Sequence, residues 1–444
     1  MQGLVVTFFI FSFASFCSCN RLLEDYPMTT IFSVMDYGAV GDGVTDDSEA
    51  FGKAWGDACE KSDSIGTIEV PQGKTFMLKP LKFTGPCKSS SINFKVEGNI
   101  VAPSSTDAWT NDDDKSKWLE FVSIYGLIFN GGGQINGHGS VWWESCHALS
   151  FNKCNNLQLS DTQHVDSPKG HISITASNNV KISNLIITAP EDSKNTDGID
   201  ISSSTYVMID HCSIATGDDC IALGSGASNI NITNIACGPG HGIRYIQNTL
   251  SLVRFHKIHE IIHRKNIYHF LSLFCCDHVF SIGSLGRDGD YATVENVYVS
   301  DCNITGATNG VRIKTWQGGS GYVRNVNFQR ITISNTKNPI IINQDYNDII
   351  MNEFKKGAPK EKGSGLEING VIYEDVKGTS ASEVAINLDC NSSQGCHGIT
   401  MHDINLTSES SSSQVTASCI NANGESISVS PEVSCLANKT PTPY

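Results

Sequence analysis

Acidic side chains recur at regular spacing in the middle of the chain. They lie in three segments: Asn-Thr-Asp-Gly-Ile-Asp at 195–200, Thr-Gly-Asp-Asp-Cys at 216–220 and Cys-Gly-Pro-Gly-His-Gly at 237–242. Asp197 precedes Asp218 by 21 residues, and Asp219 precedes His241 by 22. Clustered carboxylates repel one another, so one is expected to keep a proton. Such a cluster supplies both the acid and the base that glycoside hydrolysis requires.

A basic pair follows in Val-Arg-Ile-Lys-Thr at 311–315. Because side chains alternate along a strand, Arg312 and Lys314 lie on one side of it. An isolated Asp-Asp pair is more often a turn or helix cap, and an isolated His is more often structural. Three acids, a His and a basic pair at repeat spacing instead favour a functional site.

The spacing of these segments matches a repeat of short alternating strands. The first apolar residues of successive strands are Val180, Val207, Ile230, Val297 and Val326, at steps of 27, 23, 67 and 29. A later strand at Ile399 lies 73 residues on, with Val371 between. Strands this short cannot bury a face alone and are expected to stack. We therefore expect an all-β fold, a single-stranded right-handed parallel β-helix. A leucine-rich horseshoe lacks its Leu-x-x-Leu-x-Leu signature here, and a two-sheet sandwich predicts no constant step.

The two ends of a stacked fold need covers. Residues 48–59 follow an Asp-rich turn and predict a short amphipathic helix, which we interpret as an N-terminal cap. Its apolar face is Phe51, Ala54, Trp55 and Ala58. The Ser-rich tail from Ser408 onward predicts a closing segment rather than a separate domain.

The 67-residue step contains an atypical stretch at 244–280. Its 37 residues include no Gly and 5 of the 13 His of the chain, with 5 Lys and Arg against 2 Asp and Glu. Removing it leaves a step of 30, which agrees with the other repeats. We interpret it as a retained intron or a gene-model error. The alternative is a genuine loop or helical excursion, although loops this long are uncommon in compact domains. His256, His259 and His263 have helical metal-ligand spacing but no matching carboxylates, so no zinc site is expected.

The N-terminus predicts a secreted protein. Residues 4–16 are almost all apolar but too few to span a bilayer, so residues 1–19 read as a signal peptide, with a signal anchor as the alternative. Five Asn-X-Ser/Thr sequons and 16 cysteines fit this compartment, where most cysteines are expected in disulfides. The sequons begin at Asn231, Asn303, Asn391, Asn405 and Asn438. Residues 20–444 are then one β-helix domain interrupted at 244–280. The net charge of −15 argues against a nucleic-acid binder.

Four motifs resemble those of the polygalacturonases, the pectin-depolymerising glycoside hydrolases, and specifically their plant members. They are Asn-Thr-Asp at 195–197, Gly-Asp-Asp at 217–219, Gly-His-Gly at 240–242 and Arg-Ile-Lys at 312–314. The resemblance extends from about Phe32 to the C-terminal cysteines. The family pattern runs from Gly-His-Gly-Ile directly into Ser-Ile-Gly-Ser-Leu-Gly, whereas here Ile243 and Ser281 are separated by the atypical stretch. The resemblance thus locates that stretch where the repeat spacing does.

The resemblance implies a right-handed parallel β-helix and inverting hydrolysis of α-1,4 bonds between galacturonic acids, without metal or cofactor. It implies that Asp218 is the general acid and that Asp197 with Asp219 activates water. An inverting acid and base lie roughly 6.5–9.5 Å apart so that water fits between them, so a separation near 5 Å would argue against this assignment.

The resemblance also implies roles for residues around the carboxylates. His241 would tune the acid, Arg312 and Lys314 would bind substrate carboxylates, and the Arg could do so in bidentate fashion. Tyr346 would stack on or hydrogen-bond a sugar, and Asn195 would shape the site. It further implies a disulfide between Cys220 and Cys237 that fixes the catalytic turns. Two local pairs are expected near the C-terminus, Cys390 with Cys396 and Cys419 with Cys435.

The substrate implied is pectin or polygalacturonate, cleaved in an endo fashion by a secreted monomer in the cell wall, with no nucleic acid and no stable membrane association. Two alternatives remain. A pectate lyase would share the fold and the polyanionic substrate but use calcium and an Arg base. A wall-binding protein impaired in catalysis would result if the stretch at 244–280 displaces His241.

Overall fold

The computed structural model describes residues 29–61, 65–105, 116–141, 146–238, 278–346, 365–390, 394–410 and 413–438. Of the predicted features, His241 and nearly all of the atypical stretch at 244–280 lie outside the described residues, as does the signal peptide.

Within these ranges there is one α-helix, α1, at Ser48–Lys61. The first strands are β1 Thr29–Ser33, β2 Asp42–Asp46, β3 Ile65–Val70, β4 Thr75–Met77, β5 Leu81–Thr84, β6 Ile92–Val96, β7 Asn99–Val101, β8 Lys117–Val122, β9 Leu127–Asn130, β10 Gln134–Asn136 and β11 His147–Asn152. The next are β12 Gln158–Ser160, β13 Gln163–Val165, β14 Ile172–Thr175, β15 Asn178–Ser183, β16 Ile186–Thr188, β17 Ile199–Ser202, β18 Thr205–Asp210, β19 Ser213–Ala215, β20 Ile221–Leu223, β21 Ala227–Thr233 and β22 Ala236–Cys237. The last are β23 His278–Leu285, β24 Tyr291–Thr305, β25 Asn309–Trp316, β26 Ser320–Thr336, β27 Asn338–Tyr346, β28 Glu367–Ser380, β29 Val384–Asp389, β30 Cys396–Ser408, β31 Thr416–Ile420, β32 Ala422–Ser430 and β33 Ala437–Asn438.

Successive coils stack their strands in parallel and form two long sheets. The described strands of the first, which we call the site sheet, are β5, β8, β11, β14, β17, β20, β23, β25, β27, β29 and β31, each paired with the next. The remaining described strands form the second sheet. Pairing between strands one coil apart is the arrangement of a right-handed parallel β-helix, which confirms the predicted fold.

The sequence repeat corresponds to one register row of the second sheet. Val180 pairs with Val207, which pairs with Ile230, Val297 and Val326 in turn. The row continues through Val371 to Ile399. All seven side chains are buried. The 67-residue step therefore carries the chain from one coil to the next without a change of register.

Asparagines introduce these strands because the backbone there turns into the left-handed region. Asn179, Asn229, Asn296 and Asn325 have φ of 55 or 56°, a conformation that Asn tolerates better than most residues. Their amides also stack: Asn296 Nδ2 donates to Asn229 Oδ1 at 3.2 Å, and Asn325 Nδ2 donates to Asn296 Oδ1 at 3.1 Å. Each turn is thus hydrogen-bonded to the turn of the next coil.

Stacked phenylalanines fill the N-terminal half of the core. The rings of Phe83 and Phe121 are 4.7 Å apart, and those of Phe121 and Phe151 are 5.3 Å apart. Their parent strands are adjacent in the site sheet. Such ring pairs contribute about 0.5–1.5 kcal/mol each beyond their buried area.

The predicted N-terminal cap is confirmed and runs two residues beyond Cys59. Helix α1 buries its apolar face against the first coils, and Trp55 Nε1 donates to the Thr84 carbonyl at 3.2 Å. A disulfide from Cys59 to Cys87, which sequence analysis did not predict, ties the helix to the first coil of the site sheet. The helix thereby closes the end of the core that no strand covers.

Eight of the twelve described cysteines form disulfides, which confirms the prediction that most would be oxidised. The three expected disulfides, Cys220–Cys237, Cys390–Cys396 and Cys419–Cys435, are present. Four further cysteines lie buried outside the disulfides of the described residues: Cys146, Cys154, Cys212 and Cys302. In the solenoid core these side chains serve as small apolar residues. The last two coils, closed by Cys419–Cys435, are the predicted closing segment.

Candidate active site

Adjacent coils bring the first and second acidic motifs together. Asp197 stands two residues before Ile199 in β17, and Asp219 stands two residues before Ile221 in β20. Because Ile199 and Ile221 are register partners, the two aspartates approach the sheet at equivalent positions. The Gly198 N–H donates to the Asp219 carbonyl at 2.8 Å, which joins the two turns directly.

The three predicted carboxylates converge. One carboxylate oxygen from each of Asp197, Asp218 and Asp219 lies within 4.8 Å of the others. The figure refers to one oxygen of each group, so the separation of roughly 6.5–9.5 Å between the acid and base carboxyl groups stays a prediction. These oxygens come close together because the two turns stack at the short distance of hydrogen-bonded coils. The same closeness lets one water reach two of the carboxylates, since each hydrogen bond spans about 2.7–2.8 Å.

Burial and mutual repulsion favour the protonated form of this cluster. Burial raises the pKa of Asp218 well above its usual value, and the charges of Asp197 and Asp219 raise it further. Burial likewise raises the pKa of Asp197 well above normal, with added repulsion from Asp200 and Asp219. At mildly acidic pH the cluster therefore holds a proton that it can donate.

Asp219 is the carboxylate with the strongest cationic support. Burial raises its pKa, but the positive charges of Lys314 and Arg312 act in the opposite direction, as does a hydrogen bond from Ser281. Lys314 Nζ lies 3.7 Å from Asp219 Oδ2, and the two side chains are only 10% and 3% exposed. Within the cluster, Asp219 is therefore the member best suited to remain ionised and act as a base.

The basic pair lies where the alternation predicted, on one side of β25. Arg312 and Lys314 are both largely buried. The Arg312 Cζ lies 5.3 Å from the Tyr346 ring centre, and Lys314 Nζ lies 5.4 Å from the same centre. Trp316 packs edge-on against this tyrosine, with ring centres 5.2 Å apart. Tyr346 thus belongs to the site and holds both cations beside the carboxylates.

A fourth acid, Asp200, extends the cluster, and sequence analysis gave it no role. Burial and repulsion from Asp219 raise its pKa to about 7, although a hydrogen bond with Asp197 works against this. His147 Nδ1 lies 3.6 Å from Asp200 Oδ2. A Cβ on Gly170 would lie 2.5 Å from His147 Nδ1 and 2.7 Å from Asp200 Oδ2, so only glycine fits between them. In the sequence, strand alternation could have indicated this role, because it turns Asp200 outward while Ile199 faces the core.

A buried histidine holds the Asp197 turn in place. The His171 N–H donates to the Asp197 carbonyl at 2.7 Å, and His171 Nδ1 lies 3.1 Å from the same oxygen. Burial lowers the pKa of His171 to about 4, so its ring is neutral at the pH of most enzymes. A neutral ring adds no charge to the carboxylate cluster, and its role is to position Asp197.

The remaining predicted site residues fall outside this cluster or outside the described residues. Asn195 lies in an exposed turn with φ of 54°, two residues before Asp197. His241 cannot be placed relative to the carboxylates. The disulfide between Cys220 and Cys237 joins the Asp219 turn to β22, the strand that precedes the predicted His turn.

In the described part of the chain, Asp197, Asp218 and Asp219 form the one cluster whose ligand atoms could surround a cation. Lys314 already places an ammonium 3.7 Å from Asp219. That fixed charge supplies electrostatic support of the kind a metal would otherwise provide.

The chain matches known proteins over most of its length. The sequence profile of Glycosyl hydrolases family 28 matches residues 59–245 and 262–434. A probable polygalacturonase of Arabidopsis thaliana is 44% identical over 94% of this chain and 83% of its own length. A polygalacturonase of Persea americana is 40% identical over 90% and 78% of the two chains.

Solved structures share the fold. An endo-xylogalacturonan hydrolase from Aspergillus tubingensis superposes with a TM-score of 0.69, at 23% identity over 93% of this chain and 99% of that one. A polygalacturonase from Erwinia carotovora gives 0.63, at 22% identity over 89% and 96%. The profile match, the identity to the plant relatives and the site geometry together lead to one conclusion. The chain belongs to glycosyl hydrolases family 28.

Proposed function

We propose that this protein is a polygalacturonase that hydrolyses α-1,4 bonds between galacturonic acids in pectin. One observation carries the proposal: a protonated carboxylate cluster, Asp197, Asp218 and Asp219, lies directly beside the buried cations of Arg312 and Lys314. Acids of this kind cleave glycosidic bonds, and the cations attract a substrate whose every sugar carries a carboxylate. The relatives in Arabidopsis and Persea carry the name polygalacturonase.

In the proposed reaction Asp218 protonates the oxygen that leaves, because its raised pKa keeps it protonated. Asp219, beside Lys314, takes a proton from water, and Asp197 holds that water from the other side. Atoms balance: the glycosidic C–O bond breaks, water adds OH to the anomeric carbon, and the second proton passes to the carboxylate pair. The scheme requires no movement of the two stacked turns that carry the three aspartates.

We propose inversion on the strength of the family resemblance, in which the acid and the base act from opposite faces of the sugar. Product stereochemistry tests this directly. Cleavage of an α bond with inversion releases a β reducing end, which proton NMR detects before mutarotation. An α product in the first spectra would overturn inversion and leave hydrolysis in place.

The substrate carboxylates are proposed to meet Arg312 and Lys314, with Tyr346 at the cleft and Asn195 and His241 completing the site. A net charge of −15 repels a polyanion, so these two cations have to outweigh the global repulsion. Charge reversal at Lys314 should therefore raise KM sharply, and an unchanged KM would refute its role in binding.

The primary experiment measures reducing ends released from polygalacturonate by the full chain, with and without EDTA. We expect activity in EDTA without absorbance from unsaturated products, which separates hydrolysis from a calcium-dependent lyase. Asp218→Asn should lower kcat by about 10²–10⁴-fold. The matched control is Asp161→Asn, at an exposed turn, with unchanged kcat. Wild-type activity in Asp218→Asn, or unsaturated products, would overturn the proposal. Early product sizes test the proposed endo action, because endo cleavage gives mixed oligomers and exo cleavage gives short ones.

The stretch at 244–280 bears on whether the chain is active as it stands. Phe280, its last residue, pairs with Ile221 and with Val311 in the site sheet. Joining Ile243 to Ser281 would place an isoleucine in the same register, so deletion requires no change in the sheet. The family profile also leaves residues 246–261 unmatched. We propose that the stretch is foreign to the catalytic domain and lowers activity by displacing His241.

Paired expression with and without residues 244–280 tests this. We expect the deletion variant to gain about 100-fold or more in kcat, because a displacement of about 1 Å near the chemistry can lower the rate by that factor. Equal activity would identify the stretch as a tolerated surface loop. Sequencing the mature transcript tests the intron hypothesis separately.

We further propose that the protein acts as a secreted monomer in the cell wall. Pectin lies outside the cell, and the apolar run at 4–16 reads as a signal peptide. In the part of the chain that the structure describes, no helix is long and apolar enough to cross a membrane. Detection of the cleaved chain in the medium of a secreting host, eluting at monomer mass, tests both statements.

A further inference from the structure

The second sheet carries a surface groove that has no part in the proposed hydrolysis. Its volume is about 410 Å³, and its polar lining includes Asn229, Asn231, Asn327 and Gln329 around Tyr298. These residues belong to β21, β24 and β26 of the second sheet, whereas the carboxylates adjoin the site sheet.

A glycosylation sequon opens directly into this groove. Asn231 begins Asn-Ile-Thr at 231–233, and its side chain is exposed on β21. Ile232, between the acceptor and Thr233, is buried in the core. The strand alternation therefore turns the acceptor amide outward, over the floor of the groove.

The neighbours of Asn231 along the register row form an apolar surface. Tyr298 is its direct partner on β24 and is 54% exposed, and Met208 is its partner on β18 and is 49% exposed. The row continues through Asn327 to Ile372, three strand spacings of roughly 4.8 Å from Asn231. A sugar attached to Asn231 thus has an aromatic side chain one strand away and an amide two strands away.

The side-chain amide of Asn327 lies at the floor of the groove. Asn327 Oδ1 is buried, and no described residue donates to it. Its neighbours are otherwise engaged: Gln329 Nε2 donates to Glu374 at 2.8 Å, and Asn229 Oδ1 accepts from Asn296. The rest of the Asn327 side chain is partly exposed on the groove floor, where its amide N–H₂ can donate to a hydroxyl or acetamide oxygen of a sugar.

We propose that Asn231 carries an N-linked glycan whose first sugars lie in this groove, against Tyr298 and Asn327. The inference rests on the proposed passage through the secretory pathway but not on the proposed hydrolysis. In the modification, the Asn231 amide nitrogen forms a bond to the anomeric carbon of N-acetylglucosamine. The oligosaccharide donor, linked to lipid through a diphosphate, releases its lipid diphosphate, and the amide loses one proton.

Two other sequons provide internal controls. Asn303 on β24 and Asn405 on β30 are also exposed on the second sheet. Both belong to one register row, in which Thr332 and Lys377 lie between them. This row has no aromatic side chain between the two asparagines, so glycans there have no aromatic ring against which to pack.

The test uses the full chain secreted from a eukaryotic host, with glycopeptide mass spectrometry at each site. Under native conditions a peptide N-glycosidase should release the Asn231 glycan about fivefold more slowly than the Asn405 glycan, as a single aromatic contact would produce. Tyr298→Ser should remove this difference, whereas Tyr291→Ser, at an exposed position of the same strand, should preserve it.

A second measurement does not depend on the folding of the Tyr298 variant. In Asn231→Gln, chemical nitration of Tyr298 should be several-fold faster than in the parent protein, with galacturonan hydrolysis unchanged. An unmodified Asn231 in the secreted protein overturns the inference, as do equal release rates at Asn231 and Asn405 or equal nitration of Tyr298. Loss of hydrolysis in the parent chain would bear only on the proposed function.

Discussion

Replacing Lys314 by methionine isolates the charge that keeps the catalytic base ionised. Methionine keeps much of the side-chain length and removes the ammonium. In the folded protein this ammonium lies 3.7 Å from Asp219 Oδ2, and neither group is more than 10% exposed. Without the ammonium, burial still raises the pKa of Asp219, opposed by the charge of Arg312 and the hydrogen bond from Ser281.

The electrostatic interaction between the Lys314 ammonium and the Asp219 carboxylate is strong. Two unit charges at this distance interact by about 4 kcal/mol at an effective dielectric constant of about 20. Relaxation and water entry will reduce the effect, and 1.36 kcal/mol corresponds to one pKa unit. We therefore expect the acidic limb of the kcat/KM profile, which reports ionisation of the base, to move upward by at least about one pH unit.

The assay is the pH dependence of kcat/KM on polygalacturonate, measured by reducing ends. KM should also rise, but loss of binding alone would lower the whole profile without moving its limb. Lys181→Met, at an exposed position of β15 in the second sheet, is the matched control. An acidic limb at the parent pH in Lys314→Met would refute the assignment of Asp219 as the supported base.

Two further variants test the local physics of the site. Because burial and Asp219 raise the pKa of Asp200 to about 7, the unfolded chain releases this proton at lower pH than the folded one, so the group lowers stability as pH rises from about 4 to 7. Asp200→Asn should therefore melt near the parent temperature at pH 4 and several degrees higher at pH 7, and an equal gain at both pH values in calorimetry would contradict this. A Cβ on Gly217 would lie 2.0 Å from the Ser193 carbonyl; Gly217→Ala should cost about 1–3 kcal/mol in urea unfolding and most of the activity, and wild-type values of both would show that the turn can shift.

The fold could be predicted because a solenoid repeats its core pattern. Apolar residues at Val180, Val207 and Ile230 are register partners, as the repeat required. Asn179 and Asn229, which precede two of these positions, also follow from local chemistry, since both occupy a left-handed turn. Periodicity is set by side chains that are close in sequence, so it can be read without coordinates.

The convergence of the three carboxylates could be predicted from the sequence, but the distance between them could not. The convergence of Asp197, Asp218 and Asp219 followed from repeat spacing, whereas their 4.8 Å approach depends on how two turns stack. The contribution of His147 was missed because its contact with Asp200 joins residues 53 positions apart in sequence through the gap at Gly170. A contact between residues at different positions of their coils produces no repeating pattern in the sequence, so it cannot be predicted from periodicity.

The backbone explains how the protein tolerates carboxylates that repel one another. The Asp197 carbonyl accepts from the His171 N–H at 2.7 Å, the Asp219 carbonyl accepts from the Gly198 N–H at 2.8 Å, and the Gly217 N–H donates to Thr196 Oγ1 at 3.0 Å. These three bonds fix the turns without using a carboxylate oxygen, and Asp218 Oδ1 additionally accepts from the Asp219 N–H at 2.9 Å. Repulsion among the acids then cannot be relieved by movement of the turns. It is relieved by protonation, and a cluster that must hold a proton is one that can donate it to a leaving group.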